Sequence, residues 1–193
     1  MPNRPVEIPK GNGKVRTLQI PCIRDRVVQG ALKLILEAVF EADFCPNSYG
    51  FRPKRSPHQA LAQVRRSVMR RMSTVIDVDL SRYFDTIRHS VLLDKIAKRI
   101  QDPQVMHLAK QIIQVGGKIG VPQGGPFSPL AANIYLNEID WFFDAIRRKT
   151  AEGTTRQSTI TGSPMILSSL SADTIPNGAG PNGLCDVFRS SLR

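Results

Sequence analysis

The chain has 193 residues, 41% of them hydrophobic, and its 27 Lys and Arg against 16 Asp and Glu give a net charge of +11. That length fills one domain or most of a larger one. No apolar run approaches the roughly 18 residues that span a bilayer, and the opening MPNRPVEIPKGNGK lacks the apolar core of a secretory signal. Three scattered cysteines, Cys22, Cys45 and Cys185, are odd in number and show no C-x-x-C spacing. They argue against structural zinc and against a disulfide framework, and for a reducing, cytoplasmic compartment.

The charge is uneven. Residues 161–193 hold two Arg and two Asp, which cancel, so the whole excess lies in residues 1–160. A basic domain of this size points to a polyanionic partner, unless the charge serves only to keep the surface solvated.

In chain order, VEIPKGNGKVRTLQIP (Val6 to Pro21) predicts two short strands around a Gly-Asn-Gly turn. Lys10 and Arg16 flank that turn, where two cations suit a triphosphate or simply an ordinary basic hairpin. Asp25 is expected to cap a largely apolar helix from about Arg26 to Glu41. NSYGFRPKRS (47–56) is rich in turn formers and carries Arg52, Lys54 and Arg55. A helix from about Pro57 to Met72 is expected to bury Leu61, Val64, Val68 and Met72, spaced by three and four, with Arg65, Arg66, Arg70 and Arg71 on its other face.

The strand that follows, about Thr74 to Leu80, contains the acids of VIDVDLSRYFD. Asp77 and Asp79 are two apart and share one face of a strand. Paired oxygen ligands on a rigid strand suit Mg²⁺; a salt bridge to the nearby arginines, a helix cap by Asp79 and a solvated edge strand compete for the same residues. Helices are expected at 90–101 and 104–115, then a glycine-rich loop over 116–125. Ser128-Pro129 reads as cap and first turn of a helix running to about Lys149. Mixed short strands and helices without regular βαβ alternation give an α+β fold. After about Gln157 the chain turns rich in Ser, Gly, Pro and Asn and loses its basic bias, so residues 158–193 are expected as an unrelated or disordered tail.

PQGGPFSPLAANIYLNEID resembles the fourth block of group II intron reverse transcriptases, and three earlier blocks stand in that family's order. IPKGNGKVRTLQIPCIRDRVVQ and NSYGFRPKRSPHQAL resemble the fingers blocks, and VIDVDLSRYFDTIRHSVLL the block with the first catalytic aspartate. The resemblance implies a right-handed polymerase fold, with fingers and an incomplete palm in residues 1–157, and RNA-directed DNA polymerase activity. It selects Asp79 as the catalytic, Mg²⁺-holding aspartate, joined by the Leu80 carbonyl. It places Phe84 as the ring that excludes a ribose 2′-hydroxyl, Lys10 and Arg16 on the incoming dNTP, and Gln123 and Gly124 along the nucleotide site. Template or intron RNA and a DNA primer are the implied partners. Arg52, Lys54, Arg55, Arg65, Arg66, Arg70 and Arg71 would follow the nucleic-acid backbone.

The chain departs from the family after its fourth block. The family's Tyr-Ala-Asp-Asp element, which completes the metal site, has no counterpart, and Ser171-Ala172-Asp173-Thr174 lacks both the tyrosine and the second acid. The expectation is therefore a fragment of an interrupted gene that does not catalyse alone. An RNA-binding remnant, or an inert product, is the alternative. With no partner for the acidic strand's exposed edge, poor solubility is expected too.

Overall fold

The computed structural model describes residues 3–9, 15–70, 75–77, 80, 82–153 and 165–167. Their elements are β1 (Arg4–Pro9), β2 (Val15–Ile20), α1 (Ile23–Phe40), α2 (Pro57–Met69), β3 (Val75–Asp77), α3 (Tyr83–Thr86), α4 (His89–Ala97), α5 (Pro103–Gln114), α6 (Ser128–Gly153) and β4 (Met165–Leu167). Helices combine with two separate two-stranded sheets, so the expected mixed α+β character holds. Among the described residues no helix is long and apolar enough to cross a membrane. The chain divides into two compact units, Met1–Phe44 with Tyr83–Tyr135, and Cys45–Arg82 with Leu136–Arg193.

In the first unit β1 and β2 pair antiparallel, Arg4 opposite Ile20 and Pro9 opposite Val15. The Gly11-Asn12-Gly13 turn expected between them lies outside the described residues. Helix α1 starts earlier than the sequence suggests. Extended Cys22 precedes its first turn without a side-chain cap, and Asp25 falls inside that turn, where its charge still suits the positive helix end. Gln29, Leu32, Leu36 and Phe40, spaced by three and four, form the buried face. On the opposite face Ile23, Val27, Leu34 and Ile35 remain largely exposed, so α1 lacks the polar face usual for a surface helix.

Helix α5 packs against both α1 and α4. Its start is fixed by Asp102, whose carboxylate accepts from the Gln104 and Val105 amides at 2.7 and 3.1 Å, with Pro103 at the first helical position. Leu92, Ile96, Ala109, Ile113, Phe127 and Leu130 are buried in the unit's core, where each Leu, Ile or Phe contributes on the order of 2 kcal/mol. Beyond α4, the Arg99 guanidinium grips both Asp43 oxygens, Nε to Oδ2 at 2.7 Å.

The glycine-rich loop is clasped onto the chain around α3. The Gly120 amide donates to the Ile87 carbonyl at 2.8 Å and the Val121 amide to the Phe84 carbonyl at 2.7 Å, and Arg88 pairs with Ile119 as an antiparallel bridge. His89 Nε2 meets the Gly120 carbonyl at 2.6 Å; a carbonyl only accepts, so Nε2 carries the proton. Gly120 has φ +87°, and a Cβ there would lie 2.9 Å from the Asp85 carbonyl oxygen. Glycine is required by both conformation and space. Ser128, expected to cap α6, instead donates its hydroxyl to the Pro122 carbonyl at 2.5 Å. That carbonyl belongs to a buried residue, where an unpaired acceptor would be costly.

In the second unit, the loop 45–55 is tied to the later turns of α6. The Asn47 amide donates to Asp144 at 3.0 Å, the Cys45 amide meets Asn137 Oδ1 at 3.4 Å, and Arg148 pairs with Asp144 at 2.7 Å. Helix α2 carries a capping box, Ser56 with Gln59, and Pro57 in its first turn. It ends at Met69 and buries none of its residues, Leu61 being 62% exposed. The expected burial of Leu61, Val64 and Val68 is thus corrected: spacing defines an apolar face but does not supply anything to cover it. Met72 lies outside the described residues. Strand β3 pairs in parallel with β4, Ile76 opposite Ile166, and β4 falls within the segment expected as a tail.

Burial pushes the Asp140 carboxyl above the usual carboxylate range, against a hydrogen bond from Ser48 and the charge of Arg52. A folded value above the unfolded one means that stability from this group is full below the unfolded range and is lost as pH rises through the folded value. Asp140→Asn should therefore gain stability relative to the wild type between pH 4 and pH 7 in urea titrations; an unchanging difference would contradict the assignment. A second pair of variants tests the clasp. Gly120→Ala should lose about 1–3 kcal/mol through φ strain and backbone crowding, whereas Gly30→Ala, inside α1 with nothing within 4 Å of the added carbon, should gain about 0.5–1 kcal/mol. Equal denaturation midpoints for these two variants would count against the clasp.

Candidate nucleotide and nucleic-acid site

Within the first unit, three of the residues singled out by sequence come together. Phe84 is half-buried, its ring edge-on to Tyr83 at 5.7 Å, and Tyr83 is fixed by donating its hydroxyl to the Ala132 carbonyl at 2.9 Å. The Phe84 carbonyl holds Val121, two residues before Gln123. Gln123 is tied at both ends: its carbonyl accepts from the Gln19 amide of β2 at 2.7 Å, and its side-chain amide donates to Asp85 Oδ1 at 3.2 Å. Gly124 follows with φ +123°, and a Cβ there would lie 3.0 Å from the Gln19 carbonyl oxygen. At Gly125 an added Cβ would meet Gln29 Oε1, the far end of a side chain, so a substitution there would have to displace the Gln29 amide.

The outcome is a loop whose backbone is fastened on both sides while its polar groups stay near the surface: Gln123 is half-buried, and Gly124 and Asp85 are exposed. Backbone without side chains can approach a ligand closely, and a fastened loop loses little freedom when it does so. Sequence reasoning assigned no role to Asp85 or His89, although both belong to the quoted block. Asp85 orients the Gln123 amide, and His89 holds the loop from inside. The available signal was the pairing of a polar residue at 85 with a glycine-rich loop, but no spacing rule links positions 38 residues apart.

The other expected nucleotide and metal groups are only partly described. Asp79 and Lys10 lie outside the described residues, as does the side chain of Arg16. Leu80 belongs to the second unit, where it is 9% exposed in irregular backbone just after β3. Among the described residues no group of three or more His, Cys, Asp and Glu converges as a metal cluster.

The cations of the second unit fall into two kinds. Arg52 is 7% exposed, and its Nη1 donates to the carbonyls of Cys45 and Ser48 at 2.6 and 2.8 Å. This arginine is spent on holding its own loop. Arg55 lies over the Tyr49 ring at 5.5 Å, while Lys54 and, on or just after α2, Arg65, Arg66 and Arg70 are exposed. Arg71 lies outside the described residues.

A family model described as reverse transcriptase (RNA-dependent DNA polymerase) matches residues 8–151. The chain is 44% identical over 155 residues to Protein YkfC of Escherichia coli (strain K12), a match covering 74% of this chain and 41% of that protein. It is 36% identical over 149 residues to Group II intron-encoded protein LtrA of Lactococcus lactis subsp. cremoris, covering 72% of this chain and 25% of the relative. With the Putative COX1/OXI3 intron 2 protein of Saccharomyces cerevisiae the identity is 33% over 153 residues, covering 74% and 18%. The chain thus spans less than half the length of these curated relatives. It belongs to the reverse transcriptase (RNA-dependent DNA polymerase) family, and the resemblance of its four blocks to the group II intron members is borne out.

Proposed function

We propose that this chain is the fingers and incomplete palm of a group II intron reverse transcriptase, an RNA-directed DNA polymerase domain that does not catalyse by itself. The observation that carries the reading is the fastened loop that brings Phe84, Gln123 and Gly124 into one unit beside Asp85. In this reading Gln123 and Gly124 line the nucleotide, Phe84 limits the room beside its sugar, and Lys10 and Arg16 hold the triphosphate of a dNTP. Asp79 and the Leu80 carbonyl would hold Mg²⁺. Both donors are hard oxygens, and Leu80 itself lies in no strand, so the donor chemistry fits the ion. When bound, Mg²⁺ would neutralise charge on the transferring phosphate. The same proposal divides the chain at residue 157, with 158–193 an unrelated or disordered tail in which Met165–Leu167 nevertheless pairs with β3, and sets it in the cytoplasm.

Inactivity follows from the missing second acidic element, since no adjacent Asp-Asp pair occurs in the 193 residues. Template or intron RNA and a DNA primer are the proposed partners. A second reading, an RNA-binding remnant without catalysis, is favoured by the exposed cations Lys54, Arg65, Arg66 and Arg70, which suit phosphates in any sequence.

Primer extension on an RNA template with dNTPs and Mg²⁺ separates the two questions. Neither the wild type nor Asp79→Ala should extend; extension lost only in the variant would overturn the inactivity. RNA binding by the wild type should weaken steeply with salt, and a log–log slope near zero would remove RNA as the partner.

A further inference from the structure

Three non-glycine residues have positive φ among the described residues, and two of them, Phe51 (+52°) and Lys54 (+59°), sit in the loop 45–55. Lys54 occupies the third place of the turn Arg52-Pro53-Lys54-Arg55, closed by the Arg55 amide on the Arg52 carbonyl at 3.3 Å. Proline second and a positive φ third is a turn that ordinarily takes glycine or asparagine there. Phe51 is the stronger anomaly. A bulky residue with positive φ is a genuine outlier, and burial does not explain this one, because the ring is 63% exposed.

The loop beneath the ring is stiff. Buried Arg52 bonds the Cys45 and Ser48 carbonyls, and Asn47 bonds Asp144. A strained conformation persists only where its surroundings over-determine it, and such residues cluster at functional sites. Here the surroundings hold an aromatic face out to solvent, with exposed Lys54 three residues on and Arg55 laid over Tyr49. A flat apolar face among cations matches the two faces of a single-stranded nucleic acid, unpaired bases and phosphates.

We propose that Phe51 is a stacking platform for an unpaired base of single-stranded RNA, with Lys54 serving the adjoining phosphate. The inference rests on the RNA-binding reading above and adds to it a base-dependent contact. Strain gives it a distinctive signature. Glycine accepts the backbone conformation at position 51 and removes the ring, so Phe51→Gly separates binding from stability, whereas a ring needed for packing would lose both together.

The test is an anisotropy titration of the full chain with a labelled short single-stranded RNA, and with an abasic ribose-phosphate oligomer of the same length, across a range of salt. Phe51→Gly should weaken RNA binding about five- to hundredfold, leave the salt slope and the abasic affinity unchanged, and keep or raise the melting temperature. Phe51→Trp should retain affinity, and its added emission should be quenched by the RNA but not by the abasic oligomer. Wild-type RNA affinity in Phe51→Gly, or equal loss toward both oligomers, would overturn the platform while leaving RNA binding intact. Absence of any salt-dependent RNA binding by the wild type would overturn both together.

Discussion

The first unit depends on two chain segments meeting so closely that no side chain fits at position 120. The Gly120 and Val121 amides are satisfied by carbonyls around α3, and the Gly120 carbonyl by His89. An irregular loop buried in this way would otherwise carry orphaned polar groups, each costing about 1–3 kcal/mol. Because those groups are paired, the loop can run across the core and still deliver Gln123 and Gly124 to the surface. Ser128 and Gln19 fasten the same loop from α6 and β2. The position of Gln123 is therefore set by four elements of one unit.

Charge in the second unit has a double use that a count of cations conceals. Arg52 and Lys54 are two residues apart in one turn, yet one is enclosed and bonded to carbonyls while the other faces solvent. Guanidinium, with five donors in a planar fork, can satisfy several carbonyls of an irregular loop at once, which an ammonium does less well. Arg52 also lies near Asp140, whose carboxyl is still shifted upward by burial. The net charge of +11 thus overstates what is available to a polyanion.

Much of the architecture was legible because local rules decide it. The hairpin, α4, α5 and α6 stand within a few residues of their expected places, since caps, prolines and glycines act over three or four residues. Asp102-Pro103 fixed the start of α5 in this way. What local rules cannot carry is the environment. The apolar spacing of α2 was real, yet nothing was buried by it, and α1 shows apolar residues on two opposite faces. The same limit governed the candidate site: Gln123 and Gly124 were singled out through a motif, but Asp85 and His89 meet partners 38 and 31 residues away. Arg52 was read as a phosphate contact because sequence shows its charge and not the carbonyls around it.

Positive φ is met by two different solutions in this chain, and the contrast locates where side chains matter. At Gly120 and Gly124 a Cβ would press on backbone at 2.9 and 3.0 Å, so glycine is imposed by crowding and the residue serves the loop's path. At Phe51 and Lys54 the backbone takes the same unusual hand with side chains in place, both exposed. Glycine would relieve the strain there, since it enters the left-handed region at no steric cost. The strain at 51 and 54 therefore attaches to what the side chains present outward, an aromatic ring and a cation, while at 120 and 124 it is the bare backbone that the fold requires.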